Sequence, residues 1–116
     1  MWTEITTPDA LETILCREGD PPVLLFKHST RCPISSRALR LAETWLTAHA
    51  GQVYPCRILV VEHRQVSNLA AERLGVRHQS PQAILIHNGR AVWHASHLSI
   101  REDALDAALR QTDLST

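Results

Sequence analysis

One cysteine in this 116-residue chain stands where a thiol becomes a nucleophile. Cys32 follows the apolar run Val23-Leu24-Leu25-Phe26 and the polar stretch Lys27-His28-Ser29-Thr30-Arg31, and a helical pattern begins immediately after it. A thiol at the first turn of a helix meets backbone N–H groups that lack intrahelical acceptors and the positive end of the helix dipole; both favour the thiolate. Pro33 suits the first helical position, because its φ is already helical and its missing N–H would have had no partner there. Arg31 adds positive charge that favours the thiolate. Ser35 lies one turn beyond Cys32, within reach for its hydroxyl to donate to the sulfur. Cys32 with Arg31, Pro33 and Ser35 is a constellation that makes a cysteine reactive, a starting point that many chemistries share.

The remaining metal-binding and thiol side chains do not extend this constellation. Three cysteines, an odd number, argue against a disulfide framework, and Cys16, Cys32 and Cys56 lack the paired spacing of a structural zinc site. Cys16 falls off an apolar helix face and reads as a bystander. Cys56 lies in a strand pattern and reads as a core thiol; to resolve Cys32 it would have to come within about 7 Å, Cα to Cα. Of the seven histidines, His28 with Cys32 and His94 with His97 have suggestive spacings. Neither pair has further close ligands, so no metal site is expected.

The elements that must position Cys32 are legible around it. Thr7-Pro8-Asp9 opens a first helix as cap, proline and acid, with Ala10, Leu11, Ile14 and Leu15 at helical spacing to about Glu18. Gly19-Asp20-Pro21-Pro22 breaks it, and the continuous run Val23–Phe26 reads as a central strand buried on both faces. Ile34, Ala38, Leu41, Ala42 and Trp45 mark one face of the second helix, which Ala50-Gly51 stops. Residues 53–61 form a second strand, parallel to the first across a right-handed βαβ unit. Val66 to Leu74 is a third helix ended by Gly75. Two strands, Ala83–His87 and Arg90–His94, are joined by Asn88-Gly89, the strongest short-range hairpin signal. Ser99-Ile100-Arg101-Glu102 has the form of a capping box for a last helix through Leu105, Ala108 and Leu109. The order is αβαβ followed by αββα: an α/β protein with a central four-stranded mixed sheet flanked by helices, in one domain over residues 1–116.

Composition narrows the partners. Twelve basic residues balance twelve acidic ones, so no net field favours nucleic acid or an anionic membrane. No apolar run approaches the roughly 20 residues that span a bilayer, and Met1-Trp2-Thr3-Glu4 lacks the form of a secretory signal. A cytoplasmic, reducing location is expected.

This element order is that of the thioredoxin-like fold. The central strand, the cysteine at the next helix start and Ser80-Pro81 opening the hairpin resemble the thioredoxin superfamily. Phe26-Lys27-His28-Ser29-Thr30-Arg31-Cys32-Pro33-Ile34-Ser35, with His78-Gln79-Ser80-Pro81-Gln82 downstream, resembles more narrowly the monothiol bacilliredoxins, over nearly the whole chain. The resemblance implies that Cys32 removes bacillithiol from protein mixed disulfides. It further implies that Thr30, Ser80 and Pro81 contact substrate, that the Ser80–Pro81 bond is cis, and that bacillithiol is a co-substrate, with no other cofactor. Bacillithiolated proteins, and bacillithiol or a partner reductase to clear Cys32, are the implied partners. Dithiol thioredoxins have a resolving cysteine where this chain has Ser35 and a buried acid where it has Phe26; the two departures agree with one-cysteine chemistry. Other readings are a glutaredoxin-like protein using another small thiol, an iron–sulfur carrier, and a binding module with an idle cysteine.

Overall fold

The computed structural model describes residues 1–114. Its elements are β1 (Thr3–Glu4), α1 (Pro8–Leu15), β2 (Val23–His28), α2 (Pro33–Ala48), β3 (Tyr54–Leu59), α3 (Arg64–Leu74), β4 (Gln82–His87), β5 (Arg90–Ser96) and α4 (Glu102–Leu114). The sheet runs β1-β3-β2-β4-β5, with β1, β3 and β2 parallel and β4 and β5 antiparallel to their neighbours. The helices and the four principal strands follow the order read from the sequence. The sheet has five strands rather than four because Thr3 and Glu4 pair with Cys56 and Arg57 at one edge. Both residues are exposed, so no apolar alternation announces them. Ile5 N–H donates to the Arg57 carbonyl at 2.8 Å and the Glu4 carboxylate pairs with Arg57 at 2.7 Å, which holds the added edge in place.

All six residues of β2 are buried, because helices cover it on both sides. Alternation along a strand sends Val23 and Leu25 to one core, with Leu11 of α1 and Val66 of α3, and Leu24 and Phe26 to the other, with Ala42 and Trp45 of α2 and Leu105 of α4. The same alternation carries into Lys27 and His28, buried polar residues at the end of the strand that leads to Cys32. Tyr54 at the start of β3 and Val60 just past its end donate to the Pro22 and His28 carbonyls, so Pro55 turns its missing N–H away from β2.

Element ends follow local chemistry with two corrections. Thr7 Oγ1 accepts from Ala10 N–H at 3.1 Å and Pro8 begins α1 as expected, but α1 stops at Leu15, with Cys16 as its C-cap. Gly75 ends α3 in the left-handed conformation, and Asn88 and Gly89 both take positive φ in the β4–β5 turn. The Ser99 capping box does not form. Residues His97–Ser99 make a separate 3-10 turn, and α4 begins only at Glu102. The helix opens with Leu105 N–H bonded to the Arg101 carbonyl, leaving Ser99 outside it.

Candidate active site

Cys32 is the N-cap residue of α2, half-buried, with Pro33 at the first helical position. Its N–H donates to the Ser29 carbonyl at 3.2 Å and its carbonyl accepts from Ser36 N–H at 3.1 Å, which fixes its backbone on both sides. Its sulfur makes no capping hydrogen bond. With Pro33 lacking a donor and Cys32 N–H already paired, the first-turn N–H groups of Ile34 and Ser35 are the ones without an intrahelical acceptor, beside the half-buried thiol. Arg31 and Thr30 flank Cys32 in exposed positions.

Ser35 is fully buried, and its hydroxyl is engaged beneath the loop rather than with Cys32. Ser35 Oγ lies 2.7 Å from His28 Nδ1 and accepts from Ser29 N–H at 3.0 Å. Assigning the ring proton to Nε2 lets the hydroxyl donate to Nδ1. Burial, reinforced by the Arg57 guanidinium, holds His28 below the ordinary histidine value, so the ring is neutral at pH 7. The hydrogen bonds run in sequence from His28 to Ser35, Ser29 and Cys32. The loop carrying Cys32 is therefore braced from the end of β2. In the sequence, Ser35 pointed to a bond with the sulfur; packing under the helix start turns it inward.

The other wall comes from the start of β4. Lys27 pairs with Gln82 in the antiparallel β2–β4 ladder, so the start of β4 lies at the same end of the sheet as the Cys32 loop. The Ser80–Pro81 bond there is cis, as the resemblance implies. Pro81 is buried, and Ser80 Oγ is buried without a hydrogen-bond partner among the described residues. Lys27 ties this loop to the sheet: Nζ donates to the Ser67 carbonyl of α3 at 2.9 Å and to His78 Nδ1 at 3.2 Å. Burial pulls Lys27 down to about 8, and burial with the Lys27 and Arg64 charges keeps His78 below its ordinary value. The Lys27–Ser67–His78 cluster was missed in the sequence. Its only signal was a lone lysine closing an apolar strand.

Neither other cysteine is placed to resolve Cys32. Cys16 adjoins the far end of the sheet, where the preceding Leu15 carbonyl faces Gly89. The six residues of β4 separate that turn from Pro81, about 20 Å at strand rise. Cys56 sits opposite Leu25 in the α1–α3 core, and burial pushes its thiol up to about 12. No group of three or more His, Cys, Asp or Glu gathers in a metal-binding arrangement among the described residues. No described helix is long and apolar enough to cross a membrane. A depression of about 500 Å³ along α3 at Arg64, Asn68 and Glu72 is on the face of the sheet opposite α2 and holds no nucleophile.

A cysteine capping the helix after the central parallel strand, beside a cis-proline loop, defines the class of thioredoxin-fold thiol redox proteins. The chain matches the monothiol bacilliredoxin BrxC family over residues 3–105, and it belongs to that family. A solved structure described as a candidate oxidoreductase with a thioredoxin fold is 30% identical; the match covers 90% of each chain with a TM-score of 0.80. More distant likenesses show the fold alone. A thioredoxin of Malassezia sympodialis is 16% identical with a TM-score of 0.70, over 96% of this chain and 90% of that one. A thioredoxin of Trypanosoma brucei brucei is 12% identical with a TM-score of 0.77, over 97% and 90%.

Proposed function

We propose that the protein is a monothiol oxidoreductase that removes bacillithiol from protein mixed disulfides through Cys32. The observation carrying this reading is that Cys32 alone combines partial exposure with a helix N-cap position, while Ser35 stands one turn away where a resolving thiol would be. The Cys32 thiolate attacks the bacillithiol sulfur of the mixed disulfide. The S–S bond to the protein breaks, the protein leaves as a thiolate that takes a proton from water, and bacillithiol remains disulfide-bonded to Cys32. No net oxidation occurs in this exchange. A second bacillithiol thiolate, or the thiol of a partner reductase, then attacks the bacillithiol sulfur and returns Cys32 as a thiolate. Thr30, Ser80 and Pro81 supply contacts to the incoming disulfide, and Arg31 and Pro33 favour the thiolate. The activity uses no other cofactor and belongs to a reducing, cytoplasmic setting.

Intact mass spectrometry after mixing with a bacillithiolated protein tests this. Wild type gains the mass of bacillithiol as the substrate loses it, and Cys32→Ser gains nothing. A wild-type protein that stays unmodified overturns the reading.

A further inference from the structure

The charge balance of the whole chain conceals a separation along it. Residues 21–42, which carry β2, the Cys32 loop and the first half of α2, contain no Asp or Glu; nor do residues 73–101, which carry the cis-Pro81 loop, the hairpin and the turn after β5. These two stretches hold eight of the twelve basic residues. They meet beside the nucleophile. A groove of about 240 Å³ between α2 and the 3-10 turn is lined by Ile34, Arg37 and Leu41 on one side and by Leu98, Ile100 and Arg101 on the other.

Two features tie this groove to Cys32. Ile34, Arg37 and Leu41 recur at helical spacing along the face that starts two residues after the nucleophile. His97 N–H donates to the Pro81 carbonyl at 3.1 Å, joining the turn to the cis-proline loop. Ile34 and Leu98 are also 51% and 80% exposed, an unusual state for large apolar side chains facing a groove. One of the two charges is unmatched and the other is held only at the surface. Among the described residues Arg37 has no carboxylate partner, and Arg101 has only an exposed contact with Asp103 at 3.3 Å.

We propose that this groove is the subsite for the small thiol while Cys32 carries it, and that it selects thiols whose body bears carboxylates. The proposal rests on the reading of Cys32 as a carrier. A moiety bonded to the Cys32 sulfur extends along the first turns of α2, its carbon skeleton against Ile34, Leu41 and Leu98 and its carboxylates against Arg37 and Arg101. The volume equals that of about eight liquid waters, the scale of a small molecule rather than of a protein surface. Guanidinium is the cation suited to paired recognition of carboxylate. Both arginines are exposed, so each contributes modestly and in a salt-dependent way.

Adduct formation on Cys32 with a charge series of symmetrical disulfides tests this. Bacillithiol and glutathione disulfides are the anionic probes, hydroxyethyl disulfide the neutral one and cystamine the cationic one. Intact mass gives the equilibrium of Cys32–S–S–R against released thiol, and the wild-type to variant ratio for each probe cancels its intrinsic reactivity. Arg37→Ala and Arg101→Ala each lower the equilibrium with the anionic probes by about 3- to 5-fold at low ionic strength. They leave the neutral probe unchanged, and about 0.5 M salt removes most of the difference. Equal effects on all probes, or none, overturn the subsite. So does a loss confined to protein mixed disulfides, which would assign the groove to protein docking. Absence of any adduct in wild type is a different failure, that of Cys32 as carrier.

Discussion

His28 Nδ1 and Ser35 Oγ are 2.7 Å apart inside the protein, and this contact braces the loop that presents Cys32. Removing the Ser35 hydroxyl leaves both His28 Nδ1 and Ser29 N–H without that partner. Ser35→Ala is expected to cost about 2 kcal/mol of stability, the penalty for orphaned buried polar groups. Urea unfolding measures this, and a loss below a few tenths of a kcal/mol would show the brace to be unimportant.

A second expectation concerns the chemistry that Ser35 excludes. Residues three apart in the first turn of a helix are neighbours, and their Cα separation falls in the range a disulfide spans. Ser35→Cys should convert the one-thiol site into a dithiol one. Under mild oxidation Cys32 and the introduced thiol would close into a disulfide, read as two accessible thiols fewer by thiol titration and as a loss of the mixed disulfide with bacillithiol by intact mass. Retention of that mixed disulfide in the variant would show that the second thiol cannot reach Cys32.

Lys27 and Cys56 act on stability in opposite directions as pH rises. Lys27 titrates at about 8 when folded against 10.5 otherwise, so between those values the unfolded chain binds more protons and stability rises with pH. Cys56 titrates at about 12 against 9.0, so above pH 9.0 the folded chain binds more and stability falls. Each slope is at most about 1.4 kcal/mol per pH unit. Chemical denaturation of wild type minus Lys27→Met should show the rise from about pH 8, and wild type minus Cys56→Ala the fall above pH 9. Differences that do not vary with pH would remove both groups from the pH response.

On the acid side the sign comes from His28 and His78, both held below 6.5. Below that pH the unfolded chain takes up protons first, and stability declines as pH falls through the folded values. His28→Gln together with His78→Gln should flatten the decline in thermal unfolding measured from about pH 7 downwards, and an unchanged decline would assign it to carboxylates.

Gly89 joins α1 to the hairpin through a close approach. Its φ is +77°, and an added Cβ would lie 2.6 Å from the Leu15 carbonyl oxygen. Gly89→Ala combines a left-handed non-glycine residue with a backbone clash, and about 2 kcal/mol or more should be lost. Thermal unfolding checks this, and a variant as stable as wild type would mean that the turn relaxes freely.

The helices and principal strands could be read early because their signals are local. A buried central strand must be apolar on both faces, and Val23–Phe26 is a continuous run; Asn88-Gly89 marks its own turn through positive φ. The short β1 could not be read, since its two residues are exposed and pair with a strand more than fifty positions away. Ser99 misled for the opposite reason: it has the capping composition, but His97 N–H is drawn to the Pro81 carbonyl and the helix starts three residues later.

The amino-acid sequence by itself determined the candidate nucleophile, its place at a strand-to-helix junction, the absence of a second thiol one turn into the helix and the thioredoxin-like order of elements, because each depends on neighbours within a few residues. Only the tertiary structure decided where the polar side chains around Cys32 are committed. Ser35 turns to His28, Lys27 reaches Ser67 and His78, and Arg37 and Arg101 come to line one groove. The residues brought together in this way lie between 7 and 64 positions apart in sequence. The physical reason is that a buried polar atom must find a partner somewhere in the fold, and the sheet topology settles which partner is within reach.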